Sequence, residues 1–157
     1  MKEIVSLLVG KLADLLPTFA LRLFFPPSKI AKEVRVDLRG EKPVQARTDA
    51  AFPDISVWLE LTNLSHVDLT LDRLLFDLWF GQPTITGSIL EFEHVPARSG
   101  PKTIRFWTNL TPSQVSRIDD FMHSGEARGP LSLSYSAYFQ SRVGMVTAKG
   151  RIERQGV

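Results

Sequence analysis

The residue types that most often bind metals are sparse in this chain of 157 residues. The three histidines, His66, His94 and His123, are far apart and form neither an H-x-H nor an HExxH pattern. The best metal candidate is the run "EFEH", but on a strand Glu91 and Glu93 point to one face and His94 points to the other. We therefore predict no metal site and no cofactor.

The candidate nucleophiles and carboxylates also show no catalytic pattern. Asp68 and Asp72 can share one strand face, whereas Asp77 has the opposite parity. The serines of "LSLSYSAYF" lack a G-x-S-x-G elbow, and such an alternating row is typical of the wet face of a sheet. The sequence contains no Gly-rich phosphate loop and no cysteine nucleophile. We predict that the protein is not an enzyme.

The overall composition is that of a folded globular protein, with 43% hydrophobic and 23% charged residues. The 19 basic and 17 acidic residues alternate in sign, as in residues 32–37, which is typical of a solvated strand face. Nucleic-acid binding requires a clustered basic patch, so we do not expect it. Because cysteine is absent, we do not expect a disulfide-stabilised secreted protein. The protein is expected to be membrane-associated, or cytoplasmic or periplasmic.

The first segment, "IVSLLVGKLADLLPTFALRLFFPP", has the length of a membrane span but not its composition. Lys11, Asp14 and Arg22 would each cost about 2.5–3.5 kcal/mol near the bilayer centre. Pro17 would bend the middle of such a helix. A secretory signal also fits poorly, because charges follow the short apolar run at once.

Helical spacing in this segment instead predicts an amphipathic helix with a narrow polar stripe and a wide apolar face. We expect it to occupy residues 1–27, to end at the two prolines, and to precede a β domain at 28–157. We predict that it attaches the protein to a membrane surface or a protein partner. The expected contact residues are Leu8, Leu12, Leu15, Leu16, Phe19, Leu23, Phe24, Phe25 and Trp58.

Other interpretations of the same helix stay open. Its apolar face can pack on the following domain or on another copy of the chain, which would make the protein a structural subunit of a homo-oligomer. It can also form a lid over a lipid or a small apolar ligand bound by the domain. Where the apolar face of this helix lies in the folded molecule distinguishes these possibilities.

From about residue 32 the hydrophobic period changes to two, which is typical of half-buried strands. About seven such segments predict an antiparallel sandwich of the immunoglobulin or fibronectin kind. One short helix interrupts them, with Thr111 as cap, Pro112 at the first position and Gln114 completing a capping box. Eight stretches are the candidates for these strands: "EVRVDLR", "ISVWLEL", "VDLTL", "RLLFDLWFG", "TITGSILEFEHV", "KTIRFWTNL", "LSLSYSAYF" and "MVTAKGRIE".

The tryptophans lie on three different predicted strands, at Trp58, Trp79 and Trp107. We expect at least two of them in the core, since large aromatic side chains contribute much of the buried area of a domain. Trp58 lies opposite the apolar face of its own strand. It is therefore the one expected beside the amphipathic helix, as part of an apolar groove or an interfacial belt.

A run of motifs between residues 55 and 110 resembles a known family. An apolar strand ends in Asn63, a buried strand ends in Gly81, and the strand "TITGSI" has a glycine inside it. The Pro-containing turn "HVPARSGP" and the strand "KTIRFWTNL" follow. This pattern resembles the late-embryogenesis-abundant (LEA) type 2 domain, also called the WHy (water stress and hypersensitive response) domain. The resemblance implies a seven-stranded sandwich with a short helix, no catalysis, stress protection, binding of apolar ligands or partners, and often an N-terminal membrane segment.

Overall fold

The computed structural model describes residues 17–80, 84–90, 92–123 and 131–154. Four of the expected contact residues, Leu8, Leu12, Leu15 and Leu16, lie outside this part of the chain. The helices are α1 Thr18–Phe24, α2 Pro27–Glu33 and α3 Pro112–His123. The strands are β1 Val34–Leu38, β2 Val44–Arg47, β3 Asp54–Asn63, β4 Leu69–Phe80, β5 Thr84–Ile89, β6 Glu93–Val95, β7 Ser99–Asn109, β8 Leu131–Gln140 and β9 Val146–Arg154.

The strands form two antiparallel sheets. In the first sheet, β3 pairs with β1 and β2 along one side and with β7 along the other. In the second sheet, β4 pairs with β5 and β6 along one side and with β8 along the other, and β9 pairs with β8. The predicted fold class is confirmed: a mainly β antiparallel sandwich with an N-terminal helix and one short inserted helix.

Alternating residues of the strands fill a single core between the sheets. In β3, Ile55, Val57, Leu59 and Leu61 are all fully buried, as the period of two predicts. The helices add Leu21 and Ile30 to the same core, each only 1% exposed. Helix α2 packs on β1 and β9, which are edge strands of different sheets, and so covers the side where the sheets meet.

Strand β4 is a single strand, although the sequence suggested two. A register shift in the β4–β8 pairing between Leu71 and Arg73 marks a β-bulge around Asp72. The bulge inserts one residue, so both Leu71 and Leu74 point inward although they differ in parity. Two further boundaries differ. Strand β2 lies between the predicted segments "EVRVDLR" and "ISVWLEL", where no strand was predicted, and residues 84–95 form two strands, β5 and β6.

The expectation of at least two core tryptophans was wrong. Trp58 and Trp79 are half-buried and Trp107 is 51% exposed. Each occupies the outward parity of its strand, since the residue before it, Val57, Leu78 or Phe106, packs in the core. Strand parity therefore outweighs the tendency of a large aromatic side chain to be buried.

Prolines mark the starts of helices α1 and α2. Pro17 has an extended backbone, with φ −64° and ψ 150°, and is the N-cap of α1, so the helix begins at Thr18 instead of running through Pro17. Helix α1 ends at Phe24, close to the predicted end, but a second helix, α2, then starts at Pro27. Proline suits the first turn of a helix because the N–H group it lacks would have no intrahelical partner there.

The inserted helix α3 has the predicted capping box. The Thr111 backbone N–H donates to Gln114 Oε1 at 2.9 Å, and the Gln114 N–H donates to Thr111 Oγ1 at 3.4 Å. Pro112 is its first residue, as expected. These two reciprocal hydrogen bonds satisfy donors that otherwise have no partner at a helix start.

Candidate functional site

One end of the sandwich, which we call the helical end, carries α1, α2, the β3–β4 turn (64–68) and the β8–β9 turn (141–145). Helix α1 is fixed there by two contacts on adjacent residues. Leu21 is inserted in the core, and the Arg22 side chain donates through Nε to the Val143 backbone carbonyl at 3.0 Å. The helix therefore docks on the β8–β9 turn with one face buried and the rest in solvent.

The solvent-facing side of α1 carries large apolar residues. Phe19 is 71% exposed, Leu23 77% and Phe24 63%. Met145, in the turn that Arg22 contacts, is 64% exposed. We call these four residues the α1 patch. Single exposed apolar residues are common on proteins, whereas here three of them lie on one helix of seven residues.

Phe25 is also among the expected contact residues, but it packs differently from its neighbour Phe24. It is half-buried against the core, and its ring centroid lies 5.7 Å from that of His66. The Lys29 ammonium lies 5.7 Å from the Phe25 ring centroid on the outside. Phe25 therefore anchors the junction of the two helices to the domain and presents little apolar surface to a partner.

The surroundings of His66 lower its pKa. Burial is the main cause that lowers the pKa of His66, and the positive charge of Arg98 lowers it further. Arg98 Nη2 contacts His66 Nε2 directly. The neighbouring carboxylate of Glu33 acts in the opposite direction, as the largest cause that raises this pKa.

Asn63 organises the turn beneath the helices. Its buried carboxamide oxygen accepts hydrogen bonds from the Ser65 backbone N–H at 3.0 Å and the Ser65 hydroxyl at 2.7 Å. The next residue, Leu64, donates its backbone N–H to the Glu33 carbonyl at the end of α2, at 2.9 Å. The Asn63 amide Nδ2 donates to three backbone carbonyls, those of Val67 at 2.9 Å, Val95 at 3.1 Å and Pro96 at 3.1 Å.

This network joins the β3–β4 turn to the β6–β7 turn and to α2. Sequence reasoning identified Asn63 as a strand end but not as a hydrogen-bonding centre. The signal that could have found it is an asparagine that continues the buried parity of Leu59 and Leu61, since a buried carboxamide must be satisfied by hydrogen bonds.

Trp58 lies apart from the α1 patch, on the outer face of the sheet that contains β3. Its ring is stacked between two guanidinium groups, with Arg39 at 4.6 Å and Arg105 at 5.4 Å from the ring centroid. Arg105 also donates to the Ser56 hydroxyl at 2.8 Å. The structure therefore brings Phe19, Leu23 and Phe24 together on α1, and it places Trp58 in a separate cation–π stack.

An ion pair lies at the start of β3, away from the helical end. Arg47 on β2 forms a hydrogen-bonded salt bridge with the buried Asp54. The hydrogen bond from Arg47 is the main cause that lowers the pKa of Asp54, and a hydrogen bond from Trp107 lowers it further. Because Asp54 and Arg47 are cross-strand partners, the pair joins β2 to β3.

The metal candidate of the sequence is not assembled in the described part of the chain. Glu93 is paired with Lys102, His94 is exposed, and Glu91 lies outside the described residues. Among those residues there is no group of three or more His, Asp or Glu placed to hold a metal ion. On the outer face of the second sheet, a shallow depression of about 440 Å³ contains Asp77, which accepts a 2.7 Å hydrogen bond from Thr86.

Within the described residues, the helices are too short or too polar for a transmembrane span. The chain contains no cysteine, so it forms no disulfide.

Similarity to one solved structure supports the fold, and two further structures are similar at lower TM-scores. The structural-genomics target SoR45 superimposes with a TM-score of 0.50 at 11% identity, over 81% of this chain and 89% of that one. The yeast GGA1 GAE domain gives 0.40 at 13%, over 79% and 92%. The solution structure of a late embryogenesis abundant protein gives 0.38 at 14%, over 99% and 86%. No family model and no curated protein matches the chain, so membership of the LEA type 2 family stays a prediction.

Proposed function

We propose that this protein is a non-catalytic β-sandwich module that attaches to a membrane surface through the α1 patch. One observation carries the proposal. Helix α1 is docked firmly by Leu21 and Arg22, yet Phe19, Leu23 and Phe24 remain largely in solvent. A helix held in place with its largest apolar side chains exposed is suited to an interface that lies outside the domain.

The energy available from the patch supports this proposal. Complete burial of a side chain such as Leu, Phe or Met is worth about 1.5–3 kcal/mol, and the four patch residues are 63–77% exposed. Their transfer to an apolar environment is therefore worth roughly 4–8 kcal/mol before the cost of association. That is enough for reversible attachment but not for permanent anchoring.

The charges around the patch favour a lipid surface. Arg22 on α1 and Lys29 and Lys32 on α2 are all exposed, and Glu33 is the one carboxylate on these two helices. Each basic residue near an anionic bilayer contributes about 1 kcal/mol of attraction. Apolar insertion and basic flanks together are typical of helices that lie in the membrane interface.

The packing of the helices favours attachment over the lid hypothesis. A lid would cover a cavity, whereas Leu21 and Ile30 belong to the continuous core of the sandwich. Helix α2 also packs directly on β1 and β9. A stress-related role is part of our proposal, and it rests on the resemblance of residues 55–110 to the LEA type 2 domain.

Vesicle flotation of the full chain tests the proposal. The perturbation is the triple variant Phe19→Ser, Leu23→Ser, Phe24→Ser. The matched control is Phe52→Ser, because Phe52 is 83% exposed but lies just before the start of β3, at the opposite end of that strand from Asn63.

We expect the wild type and the Phe52 variant to float with vesicles that contain anionic lipid, and the triple variant to stay in the soluble fraction. Circular dichroism checks that all three are folded. If the triple variant floats as well as the wild type, the α1 patch is not the attachment site. If the wild type does not float at all, the membrane is the wrong partner.

A further inference from the structure

Strand β7 pairs with β3 along one side. Along its other side, which we call the free edge, it pairs with no strand in the described part of the chain. The edge is long, since β7 contains 11 residues. A strand edge of this length carries unpaired backbone donors and acceptors that can pair with a further strand.

Hydrogen bonds near β3 show which residues of β7 direct their backbone groups to the free edge. The Leu110 N–H donates to the Pro53 carbonyl at 2.8 Å, so residue 110 faces β3. Backbone direction alternates along an antiparallel strand, so the even-numbered residues of β7 also face β3. In the second half of the strand, the odd-numbered residues therefore direct their backbone N–H and C=O groups to the free edge. These residues are Thr103, Arg105, Trp107 and Asn109.

Protection of this edge is confined to one end. Pro101 has no N–H, and Lys102 is held towards the other sheet by its ion pair with Glu93. Prolines and charged side chains, especially lysine, protect an edge, and residues 103–109 contain no proline, no lysine and a single charge, that of Arg105. Arg105 and Trp107 are both exposed there, on the outer face of the sheet.

We propose that β7 pairs in antiparallel fashion with β7 of a second copy of this chain, about a two-fold axis at Phe106. In this register Arg105 lies opposite Trp107 of the second copy, and Thr103 lies opposite Asn109 of the second copy. All four outward-facing residues of each strand then form hydrogen-bonded pairs. The pairing makes one continuous sheet across the dimer.

Neighbouring registers are less favourable. An axis at Arg105 places the two Arg105 guanidinium groups opposite each other, where their like charges repel. It also sets Asn109 opposite Pro101, which has no backbone N–H to donate. An axis at Trp107 leaves Thr103 beyond the end of the partner strand. The axis at Phe106 also sets each Arg105 beside a tryptophan of the second copy, which extends the Arg39–Trp58–Arg105 stack across the interface.

Sedimentation of the full chain over a concentration series from about 1 µM to about 1 mM tests the proposal. The perturbation is Thr103→Pro, which removes an outward N–H without removing a hydrogen bond to β3. The matched control is Thr103→Ala. We expect the wild type and Thr103→Ala to form dimers and Thr103→Pro to remain monomeric. A monomeric wild type, or a dimer that persists in a folded Thr103→Pro variant, would overturn the proposal.

A spin label tests the register even if Thr103→Pro fails to fold. The chain has no cysteine, so Thr103→Cys provides a single labelling site. Residue 103 of one copy lies six positions along the strand from residue 103 of the other, which separates their Cα atoms by about 20 Å. Dipolar coupling at about this distance supports the register. The absence of coupling, or a clearly different distance, contradicts it.

Discussion

Replacement of Asn63 by alanine is expected to destabilise the protein strongly. The side chain is fully buried and makes five hydrogen bonds, three as donor to backbone carbonyls and two as acceptor from Ser65. A typical hydrogen bond contributes about 1 kcal/mol, and a buried group left without a partner costs about 1–3 kcal/mol. We expect Asn63→Ala to lower the free energy of unfolding by roughly 3–5 kcal/mol.

Urea unfolding followed by tryptophan fluorescence measures this loss. The matched control is Asn109→Ala, because Asn109 is exposed at the end of β7 and should change the free energy of unfolding by less than about 0.5 kcal/mol. A loss below about 1 kcal/mol for Asn63→Ala, or an equal loss for both variants, would show that the network does not hold the turns together.

Three further expectations concern single residues. Gly87→Ala should lower the free energy of unfolding by about 1–3 kcal/mol in a denaturant titration, because an added Cβ would lie 2.3 Å from Phe76 Cζ. The Arg47 hydrogen bond keeps the folded-state pKa of Asp54 below 3.8, so Asp54→Asn should lower the melting temperature near neutral pH. The difference in melting temperature between this variant and the wild type should shrink as the pH falls below about 4. Burial lowers the pKa of His66 below 6.5, so wild-type stability should decline as the pH falls through about 6.5, whereas His66→Gln should lack this decline.

The strand pattern was predictable because each strand buries one face. Ile55, Val57 and Leu59 alternate with polar residues, and a period of two then determines their direction. The same rule places Trp107 on the outer face, but the expectation of at least two core tryptophans gave side-chain size more weight than parity. The bulge at Asp72 was not predictable, because nothing local distinguishes an inserted residue from the next residue of the alternation.

The candidate site was predictable only in part, because its geometry depends on distant contacts. Helical spacing placed Phe19, Leu23 and Phe24 on an apolar face, and all three are exposed. The side by which α1 docks is set by Leu21 and by the hydrogen bond from Arg22 to a turn 121 residues away. The network of Asn63 likewise uses carbonyls 32 and 33 residues away. Local periodicity contains no information about such partners.

The two proposed surfaces act independently of each other. Strand β7 runs from the helical end to the opposite end of the sandwich. Its first residue, Ser99, pairs with Asn63 at the helical end, and its last residue, Asn109, pairs with Asp54.

In an antiparallel pair the second β7 runs in the opposite direction, so the two helical ends lie on opposite sides of the dimer. One flat membrane then contacts only one α1 patch of each dimer, and pairing adds no avidity to attachment. Thr103→Pro should consequently leave vesicle flotation unchanged, while a dimer with an α1 patch on either side can join two vesicles. Loss of flotation therefore implicates α1, and loss of vesicle clustering alone implicates β7.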